Sequence, residues 1–528
     1  MDKRARYIRR SGKPYVEFTD GAGIIFPTVP LTTENGKCVP LNLLNLAILH
    51  QNGYTFLDVL LQKKLELQEK ATYDGELPEC LMPFQAESVR KMICKSGTLL
   101  ADEQGLGKTL QLITVIDKRP DLRPCVIVCP AHLKHNWKSE FAKWSKTEPV
   151  ILNTRTPYNP FADVLIINYE IVQYWAQYLT ELGTKLVICD EAHRIKNRSA
   201  ASTQAVLELG NNPVRIMATG TPLVNNPENV WALVNAINPN ILPGYTYFTS
   251  YFCEVARVPV YYNGKPLIKF GEKVMRKVFT GSKNLPLLNK TLTSSVMIRR
   301  TKEQVLPQLP AKTKTILPID VGLDKENKEA INLILEADNV KAANDAYAKL
   351  YKELGTAKVD PAIQWISDFL SSSNEKLVVA GWHRDVTTAI YEKFKDDAVL
   401  IIGGVTDKEQ KIKEFVEGGK RILIGNIKAA GTGLTLTVAR SMLFVELPMT
   451  AADLNQMMDR IHRIGQSNQC NYYYLIGKGT LEEKILDLLD RKTDMAKQVV
   501  DGIEGEELEF GNLLKEAVES SNKNEENN

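Results

Sequence analysis

The segment LLADEQGLGKT carries residue types suited to holding a polyphosphate. Gly105 and Gly107 allow backbone N–H groups to approach phosphate oxygens closely. Lys108 can reach the β and γ phosphates, and Thr109 offers a hydroxyl to Mg²⁺. A strict G-x-x-x-x-G-K-[ST] match would need glycine where Asp102 stands, so the segment departs from the generic phosphate loop at one position.

An acidic pair follows a second apolar run, KLVICD, and opens the tetrapeptide DEAH. Asp190 can hold the Mg²⁺ shell, and Glu191 can orient and activate the attacking water. Together with the phosphate loop, the pair predicts a nucleoside triphosphatase that uses Mg²⁺. A surface lysine with two helix-capping acids is the alternative, but it leaves unexplained why both motifs follow apolar runs in this order.

A third set of candidate catalytic residues lies in the segment DLNQMMDRIHRIGQ. Gln456, Arg460 and Arg463 are predicted on one helical stretch, with the two arginines on one face because they are three residues apart. Such a face could supply an arginine finger that stabilises charge on the transferred phosphate. A solvated basic helix is the alternative interpretation.

Two series of short apolar runs must position these residues. The first comprises GTLLA, PCVIVCP, DVLIIN, KLVICD and VRIMAT, and the second KLVVAGW, AVLIIGG, KRILIGN, SMLFVELP and CNYYYLIG. Helical patterns separate the runs, which predicts βαβ units and parallel sheets. The expected fold class is therefore α/β with two lobes, preceded by a small N-terminal accessory domain.

The predicted domain boundaries follow from these patterns. Residues 1–75 form the accessory domain, 76–310 the first lobe with a helical insertion at about 239–300, and 311–505 the second lobe. Residues 506–528 form a partly disordered tail, because ESSNKNEENN lacks apolar residues.

Composition bounds the class of protein. With 528 residues, 44% of them hydrophobic, the chain is long enough for two or more cores. The net charge of +3 confines any nucleic-acid surface to a local basic patch. Three cysteines, Cys125, Cys129 and Cys189, lie inside apolar runs, as expected of buried thiols in a reducing compartment. No apolar stretch reaches 18 residues, so no membrane span is expected. The expected location is the cytosol or the nucleus.

The ordered motifs from about Leu81 to Glu483 resemble the Swi/Snf family of superfamily-two helicase-like ATPases. The blocks that carry the resemblance include LLADEQGLGKT, LVICDEAHRIKN, ILIGNIKAAGTGLTLTVA and DRIHRIGQ. The segment AAGTGLTLTVA and the short spacer between lobes are most similar to the subgroup of annealing helicases and fork-remodelling enzymes. The resemblance implies two RecA-like lobes and movement along duplex DNA.

Further site residues are implied by the same resemblance. Gln85 would read the adenine edge, and Asp102, Glu103 and Gly433 would join Gly105, Gly107, Lys108 and Thr109 in the cofactor site. The residues expected to contact DNA are His132, Lys134, Trp137, Thr219, Gly220, Thr221, Lys428 and Thr432. Trp137 fits a core position equally well.

The expected function is a DNA-dependent ATPase that translocates on double-stranded or branched DNA and remodels it. Its partner would be DNA, bound largely without regard to sequence, and the protein would be a monomer with no membrane association. A strand-separating DNA or RNA helicase is the alternative within the same architecture. A degenerate ATPase that only clamps DNA is the alternative from another class, and the presence of Lys108, Asp190, Glu191 and Arg463 argues against it.

Overall fold

The protein is described by a computed structural model. The residues that the structure describes are 3–19, 24, 26, 30–34, 36–57, 73–195, 197–198, 200–220, 227–259, 261–262, 265–266, 268–269, 272–322, 324–335, 340–404, 407–431, 434–448, 450–487 and 489. They group into two compact units, which meet in sequence between Thr301 and Lys302. No helix among the described residues is long and apolar enough to cross a membrane.

A seven-stranded parallel sheet forms the centre of the first unit. Its order is Met297–Ile298, Gly97–Leu100, Val214–Ala218, Leu186–Asp190, Cys125–Cys129, Val164–Asn168 and Val150–Ile151. The unit's helices are Pro83–Cys94, Lys108–Lys118, Lys134–Trp144, Val172–Glu181, Ala201–Glu208, Pro227–Ile237, Tyr245–Phe252 and Leu285–Ser295, with 3₁₀ turns at Pro120–Leu122, Ala131–Leu133 and Ala192–Ile195. All five residues of Cys125–Cys129 are buried, as expected of a strand covered on both faces.

A six-stranded parallel sheet forms the centre of the second unit. Its order is Lys312–Ile319, Cys470–Gly477, Ser441–Phe444, Leu377–Gly381, Ile422–Asn426 and Ala398–Ile401. The helices are Lys302–Val305, Asp324–Leu335, Val340–Ala357, Val359–Ser372, Arg384–Phe394, Lys408–Val416, Ile427–Ala430, Ala451–Met458 and 481–487. The α/β class and all ten strands predicted from apolar runs are confirmed.

The N-terminal residues form a separate small sheet that groups with the first unit. Its order is Leu31–Thr33, Gly36–Pro40, Lys13–Phe18, Arg4–Arg10 and Thr55–Phe56, and the described residues of this part also include the helix Leu43–Gln51. The side chain of Asn42 caps this helix by accepting from the amide of Asn45. The helix is tied to the rest of the unit because the amide of Leu44 donates to the Ile241 carbonyl at 3.2 Å.

The predicted helical insertion at about 239–300 is wrong in its central part. Two helices, Tyr245–Phe252 and Leu285–Ser295, flank an antiparallel pair of strands, Cys253–Pro259 and Met275–Ser282. Shorter antiparallel pairs join Tyr261–Tyr262 to Lys265–Pro266 and Ile268–Lys269 to Glu272–Lys273. Valine, tyrosine and phenylalanine are frequent in this stretch, and such residues favour strands.

Candidate active site

The predicted phosphate loop joins a buried strand to the start of a helix. Gly97–Leu100 leads into the loop, and the helix Lys108–Lys118 follows it. Gly107 is the N-cap at φ 73°, and Gly105 has φ 83°, a left-handed conformation that side-chain-bearing residues rarely adopt. The exposed amides of the helix start and the first two side chains, Lys108 and Thr109, therefore share one end of the helix.

The ammonium of Lys108 lies over the loop backbone. Its Nζ donates to the carbonyl oxygens of Asp102 at 2.8 Å and Glu103 at 3.3 Å. Burial lowers the pKa of Lys108, and the carboxylates of Glu191, Asp102 and Asp190 oppose that change. The two motifs that the sequence paired are thus close enough to interact electrostatically.

Asp102 supports the loop and does not face a ligand, which corrects its predicted place among the cofactor contacts. Its side chain is fully buried, and its Oδ2 accepts from Gln111 Nε2 at 3.2 Å. Arg300 lies 3.7 Å from its Oδ1, and the Arg300 carbonyl accepts from the amide of Glu103. Burial raises the pKa of Asp102. Asp102, which stands where the generic motif has glycine, therefore stabilises the loop through contacts with Gln111 and Arg300.

Asp190 ends its strand in a network of three hydrogen bonds. Its Oδ2 accepts from the Trp137 indole Nε1 at 2.9 Å, and its Oδ1 accepts from the amide of Glu191 at 3.0 Å. The Tyr169 hydroxyl donates to its backbone carbonyl at 2.8 Å. Burial raises the pKa of Asp190 to about 6, and the adjacent Glu191 adds to the rise, while Trp137 and Lys108 oppose it. The carboxylate is therefore largely ionised at neutral pH and fixed in direction.

Glu191 and His193 connect the acidic motif to a neighbouring strand. Glu191 adopts φ 50°, an uncommon conformation for a residue with a side chain. Its Oε2 lies 3.4 Å from His193 Nδ1, which also lies 3.2 Å from the Thr219 hydroxyl. Thr219 follows the strand Val214–Ala218, which runs between the phosphate-loop strand and the Asp190 strand. The chain Glu191–His193–Thr219 therefore joins two adjacent strand ends.

Four of the predicted DNA contacts are corrected because their side chains or backbones are buried. Trp137 is 1% exposed and serves Asp190. Lys134 Nζ is enclosed by the Leu152 carbonyl at 3.1 Å, Asn153 Oδ1 at 2.6 Å and Asn168 Oδ1 at 2.9 Å. Thr219 and Gly220 are also buried.

The remaining predicted DNA contacts differ in their surroundings. His132 is exposed, and Lys428 is exposed with its Nζ 4.6 Å from the centre of the Trp382 ring. Thr221, Thr432 and the predicted cofactor contact Gly433 lie outside the described residues.

Gln85 has a structural partner where adenine recognition was predicted. Its Oε1 accepts from the amide of Met82 at 2.9 Å, and the residue is 3% exposed. The side chain therefore closes the first turn of the helix Pro83–Cys94. The sequence could not show this, because an FQ pair after proline is compatible with either role.

The two arginines do not share a helix, which corrects the predicted geometry. The helix Ala451–Met458 contains Gln456 but ends before both of them. Arg460 is 9% exposed, and its Nε donates to the Gln456 carbonyl at 2.9 Å. One guanidinium nitrogen of each arginine donates to the Leu434 carbonyl, at 3.2 Å from Arg460 and 3.1 Å from Arg463. Arg463 is partly exposed, so it is better placed than Arg460 to meet a ligand.

Comparisons with known proteins identify the family of the chain. A model of the SNF2-related domain matches residues 42–359, and a model of the helicase conserved C-terminal domain matches residues 361–465. The chain is 28% identical to "SWI/SNF-related matrix-associated actin-dependent regulator of chromatin subfamily A-like protein 1" of Xenopus tropicalis, over 83% of this chain and 47% of that protein. It is 30% identical to mouse "DNA annealing helicase and endonuclease ZRANB3", over 80% of this chain and 41% of that protein.

The chain therefore spans less than half the length of these curated relatives. Among solved structures, a Sulfolobus solfataricus SWI2/SNF2 ATPase core in complex with dsDNA matches with 22% identity and a TM-score of 0.38, covering 82% of this chain and 96% of that one.

Proposed function

Because the chain belongs to the SNF2-related family, we propose that it hydrolyses ATP and uses the energy to move along double-stranded or branched DNA and remodel it. Its working compartment would be the one that holds the DNA, the cytoplasm or the nucleus.

One observation carries the proposal of ATP hydrolysis. Lys108 and Thr109 begin a helix after one parallel strand, and Asp190 ends another strand two positions away in the same sheet. In parallel α/β sheets, ligands bind at the carboxyl ends of the strands. A phosphate-binding helix start and an ionised carboxylate at this edge fit a nucleotide polyphosphate.

The donor set also fits Mg²⁺. Within the part of the chain that the structure describes, each oxygen of the Asp190 carboxylate accepts one hydrogen bond, which leaves lone pairs for a cation. Asp190 and the Thr109 hydroxyl would hold the ion, which prefers oxygen ligands of this kind. When bound, Mg²⁺ supplies charge neutralisation for the phosphate oxygens.

The other residues then divide the remaining work. The amides at the start of the Lys108–Lys118 helix and the Lys108 ammonium bind and orient the phosphates. Glu191 orients the water and takes its proton, and His193 fixes the position of the Glu191 carboxylate. His193 also contacts Thr219 at the end of the strand Val214–Ala218. A shift in the position of the Glu191 carboxylate would therefore be transmitted to that strand end.

DNA remodelling is supported by the relatives. Two of them are described by name as annealing helicases from human and mouse. We infer that this chain carries the motor part of such an activity, and that it favours rejoining of strands over separation of a plain duplex. The family's duplex-tracking motors read the phosphate backbone, so binding should tolerate any sequence.

The test is a side-by-side measurement of ATP hydrolysis with no nucleic acid, single-stranded DNA, duplex DNA, forked DNA and RNA. We expect duplex or forked DNA to stimulate the most. Glu191→Gln is the matched control, which should bind ATP but hydrolyse it roughly 10²-fold more slowly or worse. Equal hydrolysis by this variant would reject the active site, and stimulation by RNA above DNA would favour the helicase alternative.

A further inference from the structure

An antiparallel ribbon extends from the first unit between two of its helices. Cys253–Pro259 pairs with Met275–Ser282, and the base of this ribbon is fastened to the core. The amide of Lys283 donates to the Phe252 carbonyl at 3.0 Å, and Asn284 Nδ2 donates to the Tyr251 carbonyl at 2.8 Å. Phe252 is fully buried, so the ribbon leaves the unit from a fixed point.

The helix before the ribbon connects it to the acidic motif. Tyr245, at the start of that helix, donates through its hydroxyl to Glu228 Oε2 at 2.6 Å. The Arg198 guanidinium lies 4.4 Å from the centre of the Tyr245 ring. Arg198 follows the DEAH segment closely in sequence, so the ribbon is anchored through one short helix to the part of the unit that carries the site.

Two like charges face each other across the ribbon. Arg257 is directly opposite Lys277, and both side chains are exposed. Among the described residues, neither makes an ion pair with a carboxylate. Like charges directly opposite on an antiparallel pair destabilise it. The pair therefore works against the ribbon's own stability, and a bound anion would offset that cost.

Apolar side chains flank this pair on the same face of the ribbon. Val255 is 43% exposed and Met275 is 46% exposed. By strand alternation they share a face with Arg257 and Lys277. The face thus combines two cations with exposed apolar groups, which suits a polyanion that also offers sugar and base edges.

The charge of the whole segment is unlike that of the chain. Residues 253–282 contain six Lys and Arg against two Glu, a net charge of +4, whereas the entire chain carries only +3. The segment is therefore one of the locally basic stretches of a chain that is nearly neutral overall. Duplex DNA is a polyanion whose major groove admits a two-stranded ribbon.

We propose that the ribbon is a second binding element for duplex DNA, in which Arg257 and Lys277 contact backbone phosphates. Val255 and Met275 lie against the groove wall. This inference rests on the proposed function, since it takes DNA as the substrate. The ribbon adds a DNA contact outside the sequence motifs from which DNA contacts were predicted. An element of this kind could hold one arm of a branched substrate while the motor acts on another.

The test measures binding of the full chain to a labelled duplex without nucleotide, by fluorescence anisotropy from about 50 to 200 mM salt. Arg257→Ala with Lys277→Ala should lower affinity at least roughly tenfold and reduce the slope of log affinity against log salt by about 2, since two phosphate contacts are lost. The control is Lys393→Ala with Lys395→Ala, which removes two exposed lysines at the end of the helix Arg384–Phe394. An unchanged slope and affinity in the ribbon variant would overturn the inference.

A second variant separates folding from binding. Arg257→Glu places opposite charges across the ribbon, so it should keep or raise the melting temperature while weakening DNA binding. Binding as tight as in the wild type would overturn the inference, as would displacement of the duplex by polyglutamate as effectively as by unlabelled duplex. Because these measurements need no ATP hydrolysis, a wild type that binds duplex but is not stimulated by it would reject the proposed function and leave the ribbon result standing.

Discussion

The buried Trp137 donates a hydrogen bond to Asp190, the proposed Mg²⁺ ligand, and so orients its carboxylate. Trp137→Phe removes the indole N–H together with part of the ring, so the Asp190 carboxylate loses a charge-assisted bond worth about 1.5–3 kcal/mol. We expect turnover to fall about tenfold and the Mg²⁺ concentration for half-maximal ATPase to rise, because Asp190 is less firmly oriented.

The control lies on the same helix. Trp144 Nε1 donates to Glu140 Oε2 at 2.8 Å, which is a local contact of the helix with no link to the site. Trp144→Phe should therefore leave the Mg²⁺ dependence unchanged. If both variants behave alike in magnesium titrations, the assigned role of Trp137 is wrong.

Asp190 also predicts a pH-dependent cost to stability. Its folded pKa of about 6 lies above the usual value of 3.8 for an aspartate, so the folded state favours the protonated form. The stability from that preference is present below the unfolded pKa and is lost as pH rises through about 6. Asp190→Asn stays neutral, so it should be more stable than wild type by about 3 kcal/mol at about pH 8 and by less than about 1 kcal/mol at about pH 4, while hydrolysis is abolished. Urea denaturation at both pH values checks this, and a pH-independent difference would contradict it.

Asp459 supplies a comparison of opposite sign. Its carboxylate accepts from Lys302 Nζ at 2.6 Å and Lys312 Nζ at 3.3 Å. Burial opposes ionisation, but the two lysines lower the pKa of Asp459 to about 2. Its contribution is therefore present above the unfolded pKa and lost as pH falls through about 2. Asp459→Asn should thus destabilise the protein at neutral pH, where Asp190→Asn stabilises it.

At the scale of elements, the turn after Ala451–Met458 separates the roles of the two arginines. Arg460 is buried, and its backbone carbonyl accepts from the amide of Leu436, so it holds two segments together. Arg460→Ala should lower the melting temperature.

Arg463→Ala should lower turnover much more than ATP affinity or stability, because a transition-state contact affects the chemical step. Single-turnover rates, nucleotide binding and thermal unfolding of both variants distinguish these outcomes, and reduced affinity with unchanged turnover for Arg463→Ala would reject its finger role.

The strands were predictable because burial on both faces demands unbroken apolar runs, as in Cys125–Cys129 and Val164–Asn168. Val150–Ile151 and Met297–Ile298 were missed because two residues leave no pattern to detect. Lys312–Ile319 was missed because it alternates polar and apolar residues at the edge of its sheet.

The active-site motifs were predictable for a different reason. The phosphate loop and the acidic pair are each a short continuous stretch of sequence. The partners of those motifs were not. Trp137, Tyr169 and Arg300 reach the site from distant elements, and only tertiary packing brings them there. Lys134 was assigned to DNA because a lysine in a motif suggests a ligand, whereas its three buried oxygen partners make it structural.

For the whole molecule, the proposed activity predicts the outcome on DNA substrates. With ATP, we expect the chain to displace a third strand from a triplex or to reanneal a partly opened duplex, since a motor on duplex DNA pushes aside what lies ahead of it. Strand displacement assays with Lys108→Ala as the inactive control measure this. Efficient unwinding of a tailed duplex would instead identify a strand-separating helicase.

The backbone carbonyl of Leu434 accepts hydrogen bonds from two arginines, and this affects how easily one of them can move. A carbonyl oxygen has two lone pairs, and here both are engaged by guanidinium groups. If Arg463 left this contact, Arg460 would still donate to the Leu434 carbonyl, which avoids the cost of about 1–3 kcal/mol for a buried acceptor without a partner. The Leu434 carbonyl therefore lets Arg463 change position at a low cost in hydrogen bonding, as a residue that contacts a bound phosphate would need to do.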